Sequence, residues 1–206
     1  MHCEKLWRTH NRAWRQFSPD GAGSFYETCL LFGFPGRDFA LSVLYGAELH
    51  HEVEVVLLIG KEGKNIPDED SLSYIACATV GLDLTLRDIQ GKLKKAGHPW
   101  ELSKAFEQST PLGSFYPYEK NTIDLENLSF SCGVNGEIRQ NGNTRDMIFS
   151  IKTLIRKLSQ WWTLKQGDIV FTGTPSGVGP LIPGDRIEIE SPLIGSYSWE
   201  LLDPVN

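Results

Sequence analysis

The chain has 206 residues, 40% of them hydrophobic and 22% charged, which is the balance of a folded globular protein and excludes disordered and fibrous classes. Its 26 Asp+Glu outweigh 20 Lys+Arg, for a net charge of -6, and no Lys/Arg-rich run offsets this, so nucleic acid and anionic membranes are poor partners. No apolar stretch approaches the ~20 residues that cross a bilayer.

Residues 1–44 carry four Arg and two Trp but few periodic apolar positions, and predict no clean helix or strand. Met1 to Phe17 has no apolar signal-peptide centre. From about Tyr45 the local signals agree. His51 to Ile59 alternates and then becomes continuously apolar, as a strand entering the core does. Pro67-Asp68-Glu69-Asp70 opens a helix with an acidic first turn, and Leu72, Ile75 and Ala76 follow at helical spacing. Val80 to Leu84 predicts a second buried strand. Thr85 to Lys95 predicts a short helix with Thr85 as N-cap, stopped by Gly97-His98-Pro99. Leu128 to Val134 and Glu137 to Gln140 flank Asn135-Gly136, the residue pair a type I′ hairpin turn needs. Met147 to Trp162 has helical spacing. Asp168 to Thr172, Arg186 to Glu190 and Ser196 to Leu202 predict short strands between Gly/Pro loops. Strands outnumber helices and rarely alternate with them, which predicts an α+β, strand-rich fold. Cys3, Cys29, Cys77 and Cys132 form no CxxC pair. That disfavours a zinc site or a disulfide framework and places the chain in a reducing cytoplasm.

Three segments carry chemistry. In His50-His51-Glu52-Val53-Glu54, residues i and i+2 of a strand share a face, so Glu52 and Glu54 project together. Adjacent carboxylates repel unless a positive group stands between them. A hard divalent cation with oxygen ligands (Mg²⁺, Mn²⁺ or Ca²⁺) meets that need, and a solvated edge with paired charges is the plainer alternative. The spacing is not that of a helical HExxH zinc site, and His50 and His51 read as packing or supporting groups. Asp83 lies inside the apolar run Val80 to Leu86, where a carboxylate needs a cap, an Arg or a metal. Arg87 and Gln90 follow on one face of the next helix. Phe171 to Pro180 is a glycine-rich turn after a strand. It lacks the Lys of a phosphate-binding P-loop, but lets a ligand approach main-chain N–H groups.

In this order, HHEVE, LDLTLRDIQ, WELSKAF, the VNGEIRQ hairpin and GDIVFTGTPSGVGP resemble the fumarylacetoacetate hydrolase family over about Tyr45 to Leu202. Within it the chain resembles the small single-domain acylpyruvate hydrolases and the related 2-hydroxyhepta-2,4-diene-1,7-dioate isomerase-like isomerase/decarboxylases of aromatic degradation. The resemblance implies a strand-rich α+β roll, a homodimer, and one Mg²⁺ or Mn²⁺ held by Glu52, Glu54 and Asp83. It implies that Arg87, Gln90, Lys104 and Thr174 hold the 2-oxo-carboxylate end of a small 2-oxo acid. The implied reaction is hydrolysis of a C–C bond in an acylpyruvate such as fumarylpyruvate or acetylpyruvate, with isomerisation or decarboxylation of 2-oxo dicarboxylic acids as the alternative. Cleavage leaves an enolate of pyruvate, whose charge a metal and Lys104 stabilise. A relative that binds metal and oxo-acid without turnover is the remaining possibility.

Hydrolysis also requires a base to activate water. In the resembled family this is a His–Glu pair in Asn-Tyr-x-x-His-x-x-Glu, followed by a segment like Glu-Pro-Val-x-Phe-x-Lys-Pro. Neither string occurs in residues 1–44, the anomalous segment that precedes the catalytic domain at 45–206. Codons for Glu4 to Trp14, read one base later, permit Lys-Asn-Tyr-Gly-Glu-His-(Ile/Thr)-(Ile/Thr)-Glu-Leu-Gly. Codons for Gly21 to Cys29, read the same way, permit Glu-Pro-Val-Leu-Phe-Met-Lys-Pro-Ala. Residues 3–40 therefore read as an out-of-frame translation, with the lost His and Glu at the positions of Thr9 and Arg12.

Overall fold

The computed structural model describes residues 47–119 and 121–202, together with the backbone of four short strands before them. In chain order the strands begin with β1 (Trp14–Gln16), β2 (Ser24–Tyr26), β3 (Phe32–Gly33), β4 (Phe39–Ala40), β5 (Leu49–His51) and β6 (Val53–Ile59). They continue with β7 (Ile75–Leu82), β8 (Thr85–Leu86), β9 (Thr110–Pro111), β10 (Tyr116–Pro117) and β11 (Ser129–Val134). The last five are β12 (Glu137–Asn143), β13 (Ile169–Phe171), β14 (Gly179–Pro180), β15 (Arg186–Ser191) and β16 (Gly195–Leu202). The α-helices are α1 (Arg87–Ala96), α2 (Glu101–Lys104) and α3 (Ile151–Trp161).

One large sheet has the order β10-β7-β6-β13-β1-β2 and the other β12-β11-β15-β16-β4. Two small sheets, β14-β5-β8 and β3-β9, complete the set. The fold is α+β and strand-rich, as the sequence predicts. The period of two explains why β6 is buried along its whole length. Val53, Val55, Leu57 and Ile59 pack with Cys132, Ile187, Ile189 and Trp199 of the second sheet. Val56 and Leu58 point the other way, onto Cys77, Leu112, Ile169 and Phe171. A strand covered on both faces reads as a continuous apolar run.

The hairpin forms as predicted, with Asn135 at φ 53° and Gly136 at φ 80°. Gly97 ends α1 in the left-handed conformation at φ 67°. Several boundaries differ. The acidic turn after Pro67 is a 3-10 helix, Asp68–Tyr74. Ile75 and Ala76 belong to β7, because pairing with β6 outweighs their helical spacing. β7 ends at Leu82, which leaves Asp83 in the gap before β8. Thr85 is not an N-cap: it pairs in β8, and Leu86 stands at the start of α1 with no side-chain cap. Met147 to Ser150 precede α3, which Ser150 caps by accepting the Thr153 N–H.

The segment 1–44 contributes four strands of two or three residues, where no strand was predicted. β1 pairs with β13 and β2 with β1, while β3 pairs with β9 and β4 with β16. Main-chain pairing at a free sheet edge needs no side-chain pattern, so the sequence does not signal it. The other expectations for residues 1–44 lie outside the described residues. Cys132 is a free buried thiol. Cys77 is disulfide-bonded, which departs from the reading that disfavoured disulfides. No described helix is long and apolar enough to cross a membrane.

Candidate active site

The two strand breaks build the acidic centre. Glu52 sits in the one-residue gap between β5 and β6, and Asp83 in the gap between β7 and β8. The Asp83 N–H donates to the Glu52 carbonyl at 2.8 Å, which holds the gaps side by side. Glu54 follows two residues after Glu52. Carboxylate oxygens of Glu52, Glu54 and Asp83 all lie within 4.8 Å of one another, and all three residues are buried.

Two cations face them. Lys104, at the end of α2, is 3% exposed. Its ammonium donates to Glu52 Oε2 at 2.8 Å, Asp83 Oδ2 at 2.5 Å and Thr85 Oγ1 at 2.6 Å, which uses all three of its donors. Arg87 opens α1, pairs with Glu52 Oε1, and donates to Gln90 Oε1 at 2.6 Å. The Asp83 counter-ion is therefore Lys104, and the helix-capping alternative with Arg87 does not occur. Burial alone would push Glu52 up and Lys104 down. Their mutual attraction, with Arg87 and Asp83 added, outweighs burial and holds Glu52 below the usual range and Lys104 above it.

Glu54 has no ion pair with a described residue. Its Oε2 accepts the Gly173 N–H at 2.6 Å. Burial, then the Asp83 charge beside it, pushes its carboxyl well above the ordinary value. Three clustered carboxylates against one Lys and one Arg leave a local deficit of positive charge. An oxygen-only donor set with that deficit fits a hard divalent cation such as Mg²⁺ or Mn²⁺, and does not suit zinc or copper.

The glycine-rich loop closes the other side. β13 brings the chain antiparallel to β6, and Thr172 Oγ1 donates to the Val55 carbonyl at 2.8 Å. Gly173 then turns at φ 104°. Thr174 Oγ1 donates to the Val53 carbonyl at 2.9 Å. His50 and His51 stand outside the carboxylate cluster. His50 bonds Glu48 at 2.7 Å, and His51 Nδ1 bonds Gln140 Oε1 at 2.8 Å. Burial holds the His51 imidazole below its ordinary value.

A cavity of about 700 Å³ opens over these groups. Its wall includes Glu52, Glu54, Arg87, Gln90, Lys104 and Thr174, so six of the seven predicted site residues face one space. Asp83 lies just beneath, fully buried. The sequence reading missed the outer wall of Phe130, Met147, Ile148 and Phe149. It also missed Gln140, a polar side chain buried in the middle of a strand whose other residues are exposed or half-buried. No histidine among the described residues lines the cavity.

The family model for the fumarylacetoacetate (FAA) hydrolase C-terminal region matches residues 34–200, starting before the Tyr45 inferred from motifs. Oxaloacetate tautomerase YcgM of Escherichia coli (strain K12) is 52% identical over 141 residues, 68% of this chain and 64% of that protein. The mitochondrial oxaloacetate tautomerase FAHD1 of Mus musculus is 46% identical over 144 residues, 70% of this chain and 65% of that protein. The chain thus spans 64–65% of the length of these relatives. The crystal structure of fumarylpyruvate hydrolase from Pseudomonas aeruginosa, in complex with Mn²⁺ and pyruvate, superposes with a TM-score of 0.83. The identity is 30%, over 93% of this chain and 90% of that one.

Proposed function

The chain belongs to the fumarylacetoacetate hydrolase family, and from that premise we propose that its cleft handles the enol form of a small 2-oxo dicarboxylic acid of the oxaloacetate class. The observation that carries the reading is the convergence of Glu52, Glu54 and Asp83 beside Lys104 and Arg87 at the floor of one cavity. Likeness to two oxaloacetate tautomerases supports the substrate class.

Glu52, Glu54 and Asp83 would hold Mg²⁺ or Mn²⁺. When bound, the ion supplies Lewis acidity that polarises a 2-oxo carbonyl. Lys104 stands against the same Glu52 and Asp83 carboxylates. Its ammonium would stabilise the oxygen where negative charge develops. Arg87 and Gln90 stand at the rim, where a planar guanidinium suits a substrate carboxylate. Glu54 would serve as a ligand in its carboxylate form. Enolisation and decarboxylation pass through an enolate that these groups stabilise. Hydrolysis of an acylpyruvate demands an activated water as well, and no described residue on the cavity wall is a histidine base.

The structural likeness to fumarylpyruvate hydrolase favours C–C hydrolysis as a second reading. The two separate in one experiment. The purified chain with Mn²⁺ is given oxaloacetate and, separately, acetylpyruvate, and the enol absorbance of each is followed. We expect keto–enol exchange of oxaloacetate faster than with Mn²⁺ alone, and no loss of acetylpyruvate. Loss of acetylpyruvate favours the hydrolase. If neither rate exceeds the metal-only control and oxalate does not bind, the catalytic reading fails.

A further inference from the structure

The start of β6 poses a problem that main-chain pairing does not solve. Toward β7, the acceptor used is the Glu52 carbonyl, which takes the Asp83 N–H. The N–H and C=O of Val53, which faces Leu82 across the strands, therefore point to the opposite edge. On that edge β13 has already ended: Phe171 pairs with Val56, and the Thr172 N–H reaches only as far as the Val55 carbonyl. Val53 stands between two of the three clustered carboxylates, and without partners this turn of chain would be free to move.

Two side chains replace the missing strand. The Val53 N–H donates to Gln140 Oε1 at 3.1 Å. Gln140 Nε2 donates to Thr174 Oγ1 at 2.8 Å. Thr174 Oγ1 donates to the Val53 carbonyl at 2.9 Å, which closes a ring through both main-chain groups of one residue. Gln140 is 1% exposed. Its remaining valences go to the Pro175 carbonyl at 2.9 Å and to His51 Nδ1 at 2.8 Å.

The polarity of the ring is determined. An amide N–H only donates and a carbonyl only accepts, so Val53 N and Pro175 O together settle which end of the Gln140 amide is oxygen. Gln140 then donates to Thr174, and the Thr174 hydroxyl hydrogen is left for Val53. That hydrogen is spent inside the ring.

We propose that Gln140 is a positioning residue that, through Thr174, locks the ligand-bearing start of β6 to the glycine-rich loop. This rests on the reading of Glu52 and Glu54 as metal ligands. Thr174 serves the cleft by holding this loop, whose Gly173 N–H bonds Glu54, and does not donate its hydroxyl hydrogen to a bound acid. Groups that orient ligands from behind are typically worth about 10–100-fold in metal affinity.

The test compares the full chain with Gln140→Leu, Thr174→Val and a control, Thr144→Val. Thr144 is likewise buried and accepts a main-chain N–H, from Leu128 at 2.8 Å, but lies outside this ring. Three quantities are measured: hydrogen exchange of the Val53 amide by NMR, and Mn²⁺ and oxalate affinities by calorimetry. Both ring variants are expected to accelerate Val53 exchange and to weaken Mn²⁺ about 10–100-fold, while the control changes neither, whatever its melting temperature. Accelerated exchange with unchanged Mn²⁺ affinity overturns the positioning role. If Thr174→Val weakens oxalate while Val53 exchange and Mn²⁺ affinity are unchanged, the hydroxyl acts on the ligand directly and the proposal is wrong. If even the parent chain binds no Mn²⁺, the metal reading fails, and the exchange rates alone decide whether the ring exists. Should Gln140→Leu not fold, the near-isosteric Thr174→Val breaks the same ring.

Discussion

Burial, and then the Asp83 carboxylate beside it, pushes the Glu54 carboxyl well above its ordinary value of 4.5. The folded chain therefore holds a proton at Glu54 that the unfolded chain releases. A raised folded value means stability that is fully present below about pH 4.5 and is lost as pH rises through the folded value. Glu54→Gln removes that dependence. The variant should match the parent near pH 4.5 and exceed it at neutral pH in the absence of metal, as read from thermal melts. Metal binding displaces the same proton, so calorimetry in buffers of different ionisation enthalpy should show proton release, and affinity should rise with pH. Lys104 has the opposite role. Lys104→Ala leaves Glu52 and Asp83 buried without their shared ammonium, a change that typically costs about 3–5 kcal/mol. Chemical denaturation should show that loss, and saturating Mn²⁺ should recover part of it. Glu52→Ala should weaken Mn²⁺ in calorimetry, and unchanged affinity would remove Glu52 from the ligand set.

Between elements, the site depends on how closely the glycine-rich loop approaches the hairpin. A Cβ on Gly177 would stand 2.0 Å from the Arg139 carbonyl, and Gly177 itself sits at φ 100°. Both the contact and the conformation exclude a side chain. Gly177→Ala should push the loop away from β12 and loosen the Gln140 bonds to Thr174 and Pro175. The expected destabilisation is more than about 1 kcal/mol in urea unfolding, with weaker Mn²⁺ binding at equal protein concentration. A variant that keeps full metal affinity would show that the loop and the ligand strand are not coupled. The breaks after β5 and β7 matter in the same way. Each ends a strand one residue before a carboxylate, so Glu52 and Asp83 leave the ladder and join one cluster.

At the scale of the whole molecule, the question is the segment before Tyr45. Its codons permit a second reading that contains the His–Glu and Glu-Pro-Val-x-Phe-x-Lys-Pro strings of the resembled family. A positioned base typically contributes about 10²–10⁴ in rate. Restoring the shifted frame over codons 3–40 should therefore raise acetylpyruvate hydrolysis by at least that range, followed as loss of enol absorbance with Mg²⁺. Equal rates would show that the N-terminus as written is sufficient, and would defeat the frame-shift reading. We further propose a homodimer, to be checked by light scattering on both versions.

Local pattern alone determined the strand-rich class, the hairpin, the stop of α1 at Gly97-His98-Pro99 and the pairing of Glu52 with Glu54. These follow from the period of two, the φ demands of Asn-Gly and Gly, and the spacing of i and i+2. Motif order pointed to the family and to six residues that share one cavity. The tertiary structure decided what depends on distant contacts. It moved Ile75 and Ala76 from helix to strand, because β7 pairs with β6 from Ile75 onward. It gave Asp83 the ammonium of Lys104 in place of Arg87, since Asp83 faces the end of α2. It added strands from residues 1–44 at sheet edges, where main-chain groups pair without regard to side chain. It also brought Gln140 to Val53, 87 positions away, because the edge left bare by β13 needed a donor and an acceptor that no local pattern announces.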